Sequence, residues 1–282
     1  MISVEGVCLI NKPKGFTSFD VVHKLRRILG ERRIGHTGTL DPQAEGVLVV
    51  LLGRATKAMP FLVTQQKEYV AELKLGLKTD TGDIWGVVLE TADYQPPSID
   101  SITLALASMA GVSQQLPPMV SAIRVDGKRL YEYARLNQTV ERKTRKIEIF
   151  EIELLEYSDT ILFRVVCSSG TYIRTLCEDI AAKLGTIGTM NKLTRTKVQD
   201  YKLEDCQNLD EITAQNVRLH DLLSVLAHMP TVAIDDPTFI YQGKHMHFDN
   251  NEEQVLVTFE GQALAVYKKT ETGDYRSVRG LW

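Results

Sequence analysis

Six apolar residues in a row, Val47-Leu48-Val49-Val50-Leu51-Leu52, read as a strand buried on both faces, and any fold for this chain must cover it from two sides. The segment in front of it, Arg33 to Gly46, is too glycine-rich for a helix interior and lacks the alternation of a half-buried strand. Gly35, Gly38 and Gly46 allow positive φ or close backbone approach. Pro42 stiffens the chain just past Asp41 and biases Asp41 itself toward extended geometry. A stiff acidic loop resting on a core strand can hold one carboxylate in place. By pattern alone the stretch reads more readily as a surface turn opening at Asp-Pro.

At 282 residues the chain has room for one large domain and a small one. No apolar run approaches membrane-spanning length, and the N-terminus lacks a basic-then-apolar signal layout, so a cytoplasmic protein is expected. Cys8, Cys167, Cys177 and Cys206 form no C-x-x-C pair, which leaves buried reduced thiols rather than a zinc site or a disulfide framework. The net charge of −3 hides a strong asymmetry. Eight Lys/Arg against three acids lie between Arg124 and Lys146, and nine against five in residues 1–57; from Pro230 onward the balance is five against eight. Concentrated positive charge on a weakly acidic protein is the footprint of a polyanion-binding face, although a solvated charged helix and loop would look the same in any one cluster.

Along the chain, a short buried strand (Val7 to Ile10) leads into the turn Asn11-Lys12-Pro13-Lys14-Gly15. Thr17 or Ser18 caps a helix that groups Phe19, Val22, Leu25 and Leu29 on one face and stops at Gly30. Residues 67–75 alternate, with Tyr69, Ala71, Leu73 and Leu75 on one side, and run into a polar loop that holds Asp80 and Asp83. Ser98 caps a helix expected to end at Gly111. Strand-like runs follow at 146–155 and 161–166, then a junction at 167–175 and a helix carrying Leu176, Ile180 and Leu184. If the junction is extended, Tyr172 and Arg174 point the same way. A last helical region is expected over 209–228, with a boundary near Pro230 and a small β module in the tail that turns at Gly261 and Gly273. Lys12 is either a phosphate contact or a solvated cation. His245 and His247, without cysteine or carboxylate support, are surface residues rather than metal ligands.

Four segments resemble, in order, the motifs of the TruB family of tRNA pseudouridine synthases. They are Lys12-Pro13 with Gly15; His36-Thr-Gly-Thr-Leu-Asp41-Pro-x-Ala-x-Gly-Val-Leu48; the Tyr69 strand with Thr79-Asp-Thr-x-Asp83; and Cys167-Ser-x-Gly-Thr-Tyr172-Ile-Arg174-Thr-Leu176 followed by Leu193-Thr-Arg195-Thr196. Between them, Pro117-Pro118 to Arg135 is similar to the family's RNA-closing thumb, with Val120 in place of an aromatic residue and Arg124 in place of Lys. Trp85 departs from the family pattern, where a small residue is expected.

The resemblance covers roughly residues 5–200 and implies an α/β (α+β) fold. Its catalytic domain (1–228, with a basic thumb-like insertion at 117–146) surrounds a central, mostly antiparallel sheet, and a small PUA-like β module (229–282) follows. It implies isomerisation of the uridine at position 55 of the tRNA T loop. Asp41 is then the catalytic residue, and His36, Tyr69, Tyr172 and Leu193 contact the substrate. Arg174, Lys12 and Asp83 support them, and Arg124, Lys128, Arg129, Arg142 and Lys143 meet the RNA backbone. The target base has to leave its stack to be reached, and Tyr69 and Tyr172 offer flat faces for it. Asp41 must be ionised although burial raises its pKa, and Arg174 is the candidate cation that offsets this. An isomerisation needs neither metal nor cofactor. The partner expected is the tRNA T stem-loop, met by a monomer with no membrane contact and no protein partner. A guide-RNA-dependent relative is the lesser expectation, because basic tails and partner-binding extensions are not seen. Two other classes compete: an RNA-binding or tRNA-folding protein without catalysis, and an Asp-dependent hydrolase, which would need a metal.

Overall fold

The computed structural model describes residues 4–62, 66–136 and 138–282. Its main sheet sets the strands side by side in the order Gln207–Asn208, Gly6–Lys12, Glu45–Leu52, Gly188–Val198, Lys67–Leu75, Ile161–Cys167, Arg145–Tyr157 and Gly111–Gln115. The apolar run Val47 to Leu52 lies inside this sheet and is fully buried, so both of its faces are covered as its composition requires. Pairing is antiparallel except at two places, where Gln207–Asn208 meets Gly6–Lys12 and where Glu45–Gly46 meets Thr194–Arg195. The second parallel contact joins the Asp41 side of the sheet to the Tyr69 side.

Lys67–Leu75 alternates strictly, with every odd residue buried, and Tyr69, Ala71, Leu73 and Leu75 pack into the core with Phe163, Leu176 and Ile180. The helix Ser18–Leu29 starts at Thr17, whose side chain accepts from the Asp20 N–H, and stops at Gly30 in the left-handed region. Its inner face is Val21, Val22 and Leu25 rather than one that includes Phe19, which is exposed against His23.

The helix after Ser98 spans Ile99–Ala107 and is closed at Ser108; Gly111, at φ 96°, opens the edge strand Gly111–Gln115 instead of ending the helix. Residues 209–228 are not a helix. They hold single turns at Leu209–Glu211 and Leu222–Val225. Polar side chains capture the backbone between these turns: Asn216 accepts from Thr213 N and donates to Glu211 O, and Gln207 accepts from Arg218 N. Such local bonds outcompete the helical ladder.

A second sheet orders Thr231–Ala233, Gln254–Phe259, Gln262–Lys269 and Tyr275–Gly280, with turns at Gly261 and Gly273. Its Leu256 and Val266 share one apolar cluster with Val7, Val49 and Leu51 of the main sheet and with Leu222 and Leu226. The small module is therefore seated on the main sheet through a common core. His247 sits on the surface beside Asp274.

Candidate active site

The loop between Ile34–His36 and Glu45–Leu52 is tied down from several directions. Thr37 N–H donates to Val49 O at 3.1 Å. The buried Ser18 hydroxyl accepts from Leu40 N–H at 2.9 Å. Gly15 N–H donates to Pro42 O at 2.8 Å. Arg195 Nη2 donates to Gly38 O at 3.2 Å and its Nε to Val47 O at 2.7 Å. Lys12 completes the set. It is wholly buried, and its Nζ donates to the carbonyls of Pro13, Phe16 and Pro42 at 2.9, 2.7 and 3.2 Å. Lys12 is thus neither a phosphate contact nor a solvated cation: three carbonyl dipoles stand in for water around a buried ammonium, and burial pulls its pKa down to about 8. Gly46 is required by close approach, since a Cβ at its φ of 109° would lie 2.2 Å from Arg195 O.

The loop presents Asp41 to Arg174 in a two-point pair, Nε to Oδ2 at 2.9 Å and Nη2 to Oδ1 at 3.1 Å. Tyr172 caps, and Arg174 belongs to, the helix Ile173–Lys183; the junction is a helix start and not an extended strand. Two further donors of Arg174 go to Thr81 O at 2.8 Å and Val120 O at 2.9 Å, so a buried arginine is held by three separate segments. Burial raises the pKa of Asp41, Arg174 opposes the shift, and Asp83 adds to it. Even so, 32% of the Asp41 side chain remains accessible, through the mouth of a cavity.

That cavity, about 350 Å³, is lined by Asp41, Tyr69, Tyr172, Arg174 and Leu193 among others, and Ser121 to Ile123 form one wall. Five of the residues singled out in the sequence therefore converge on one space. Tyr69 lies at 7% exposure; burial raises its hydroxyl pKa, with the Arg195 guanidinium opposing. Tyr172 is half-buried and held through its backbone: Gln115 Nε2 donates to its carbonyl at 3.0 Å, and its N–H donates to Gln115 Oε1 at 2.8 Å. Arg145 sits 5.7 Å over its ring.

His36 and Asp83 stay outside the lining. His36 ends its strand opposite Val50, and burial lowers its pKa. Asp83 accepts from Thr81 Oγ1 at 2.9 Å and from Trp85 N–H at 3.1 Å, which orders the loop whose Thr81 carbonyl receives Arg174.

Two cations on the cavity wall were missed in the sequence, Lys67 and Arg195. The signal was available: each stands two residues from a recognised lining residue on the same strand, Tyr69 and Leu193, and side chains two apart share a face. Lys67 Nζ donates to Ser169 Oγ at 2.9 Å, and burial followed by repulsion from Arg195 pulls its pKa down to about 8.

The basic insertion forms a hairpin, Arg124–Val125 against Lys128–Arg129, that turns at Asp126-Gly127 with both residues at positive φ. Arg124, Lys128, Arg129 and Lys143 are exposed. Arg142 is half-buried and donates to Pro117 O at 2.7 Å. Lys128 and Arg129 lie 5.8 Å over the rings of Tyr133 and Tyr131.

This site on this fold has relatives. The profile of the TruB family pseudouridylate synthase N-terminal domain matches residues 26–173, and that of the tRNA pseudouridylate synthase B C-terminal domain matches 174–229. Proteins named tRNA pseudouridine synthase B are 42% identical in Bacillus anthracis (94% of this chain, 92% of that protein) and 38% identical in Oceanobacillus iheyensis (96% and 95%). Among solved structures, a Cbf5-Nop10-Gar1 complex matches with a TM-score of 0.71 at 26% identity, covering 95% of this chain and 79% of that one. An H/ACA RNP bound to a substrate RNA containing 2'-deoxyuridine matches in fold, with a TM-score of 0.72 at 23% identity (98% and 85% covered). The chain belongs to the TruB family of pseudouridine synthases.

Proposed function

We propose that the protein converts uridine to pseudouridine in tRNA, acting at position 55 of the T loop with Asp41 as the catalytic residue. The observation that carries this reading is the two-point Arg174–Asp41 pair opening into a cavity walled by Tyr69, Tyr172 and Leu193. The cavity is sized for one nucleotide base and offers aromatic faces, so a uridine drawn out of its stack has a place to lie. Asp41 mediates scission of the bond between ribose C1′ and uracil N1. The base turns, C5 bonds to C1′, the C5 proton leaves and the freed N1 takes up a proton from solvent, so the product is an isomer of the substrate.

Arg174 opposes the rise in pKa that burial imposes on Asp41 and so favours its ionised form. Tyr69 stacks on the base, and its hydroxyl, whose pKa burial raises, relays the C5 proton. Leu193 supplies an apolar wall. Lys12, His36 and Asp83 act from behind, holding the loops that carry Asp41 and Arg174. The exposed cations Arg124, Lys128, Arg129 and Lys143, together with Arg142, meet the phosphates of the stem. Residues 1–228 act as the catalytic domain and 229–282 as a PUA-like RNA-binding module. The protein works as a cytoplasmic monomer; no helix among the described residues is long and apolar enough to cross a membrane.

The deciding experiment is tritium release from an unmodified tRNA transcript carrying 5-tritiated uridine, with wild type and Asp41→Asn. Release of about one tritium per tRNA by wild type alone supports the reading. Tight binding with no release by either would leave an RNA-binding protein, and release by both would remove Asp41 from its role.

A further inference from the structure

Two residues on the loops that brace Asp41 and Arg174 are left over from the chemistry above. Trp85 is 56% exposed, in a loop otherwise built from tied-down backbone. Ile84 N–H donates to Met190 O at 2.9 Å, Trp85 N–H to Asp83 Oδ1 at 3.1 Å, Gly86 N–H to Asp83 O at 3.1 Å and Val87 N–H to Asp80 Oδ1 at 2.7 Å. Behind the indole the chain turns so tightly that a Cβ on Gly86 would fall 2.3 Å from Thr81 Oγ1. The ring is thus displayed by a rigid support, which limits the entropy lost when something settles on it. The exposed Lys14 holds its Nζ 4.4 Å from the indole centroid and has no carboxylate at ion-pair distance among the described residues. An unpaired cation resting on an exposed indole serves no part of the core.

Both residues are anchored to the machinery around Asp41. Lys14 precedes Gly15, whose N–H binds Pro42 O, and Trp85 follows Thr81, whose carbonyl receives Arg174. The loops that carry the two are thus bonded directly to the Asp41 loop and to Arg174, while Ser121 to Ile123 of the basic insertion form a wall of the cavity. The nearby carboxylates Asp80 and Asp83 are occupied by backbone N–H groups. What fits an exposed indole whose one face carries an ammonium without a carboxylate partner is a nucleotide: a flat base for the accessible part of the ring and a phosphate for the cation.

We propose that Trp85 and Lys14 form a nucleotide platform on which an unpaired base next to the flipped uridine stacks, with Lys14 paired to the adjoining phosphate. This rests on the RNA-modifying reading of the site and adds a second base-binding surface outside the cavity. The platform tightens RNA binding without touching the reacting atoms, so it acts on KM.

The chain has two tryptophans, so Trp282→Phe leaves Trp85 as the sole indole fluorophore. In the full-length Asp41→Asn/Trp282→Phe protein, a T stem-loop RNA should quench that fluorescence saturably, and the stem duplex without its loop should not. In tritium release, Trp85→Ala should raise KM about tenfold with kcat within about twofold, and Trp85→Phe should restore most of the loss. Lys14→Ala should lower the salt slope of binding by about one phosphate contact. Saturable binding with unchanged Trp85 fluorescence, equal quenching by the duplex, or a wild-type KM in Trp85→Ala would each overturn the platform. If wild type binds RNA but releases no tritium, the catalytic reading fails, and the fluorescence arm alone decides the platform.

Discussion

The floor of the cavity and the basic hairpin at its edge use the same kinds of side chain for opposite ends. At the floor Arg174 and Arg195 are buried, as is Lys12 behind it, and most of their donors are spent on carbonyls and one carboxylate. At the hairpin, Arg124, Lys128 and Arg129 are exposed; the last two rest on tyrosine rings. A buried cation fixes geometry, because losing any partner strands a charge in low dielectric. An exposed one is cheap to hold and cheap to lose, which is what diffusional capture of a polyanion asks for. Floor variants should therefore change chemistry or folding, and hairpin variants should change affinity.

The largest expected effect is on Asp41→Asn, which should lower kcat by at least about 10⁴-fold while RNA binding survives, as measured by single-turnover tritium release beside a filter-binding titration. Next comes Arg174→Ala, with a fall of about 10²- to 10³-fold in kcat/KM. Its pH profile sharpens the point. Asp41 already has a raised pKa, so activity is lost as pH falls through that value; without Arg174 the pKa rises further, and the loss should begin at higher pH. An acid limb that does not move would deny Arg174 its electrostatic part.

Lys12→Met strips three hydrogen bonds from a buried position and should destabilise the fold by about 2–4 kcal/mol, read as a lower urea midpoint. A stable Lys12→Met protein with weak RNA binding would instead make Lys12 an RNA contact and erase the contrast. The mildest change is the triple variant Arg124→Ala/Lys128→Ala/Arg129→Ala. It should raise KM about tenfold, flatten the salt slope by roughly two to three contacts, and leave the melting temperature alone. A large drop in kcat there would mean that the hairpin shapes the active site and does not merely hold RNA.

Much of this was legible in the chain. The alternation of residues 67–75, the cap at Thr17, the stop at Gly30 and the tail strands follow from local periodicity and capping, and they stand where expected. Asp41, Tyr69, Tyr172, Arg174 and Leu193 were found through motif resemblance, and they meet in one cavity. Where local reading failed, a longer-range competitor won. Residues 209–228 have enough apolar spacing for a helix, but the side chains of Asn216 and Gln207 took the backbone. Lys67 was passed over in the sequence, yet it stands on the buried face of its strand with Tyr69.

Sequence alone determined the strands near 7–10, 47–52, 67–75, 146–155 and 161–166 and those of the tail, though not Gly188–Val198 or Gly111–Gln115, and it determined that a block of positive charge follows Arg124. It could not say which cations would be buried. That outcome depends on segments far apart in the chain: Arg174 and Asp41 are separated by 133 positions, and Arg195 reaches Val47 across 148. A side chain's charge is a local property, whereas its desolvation and its partners are set by whatever the fold brings against it. Only the tertiary structure decided that Lys12 would hold a loop and Arg124 would face solvent.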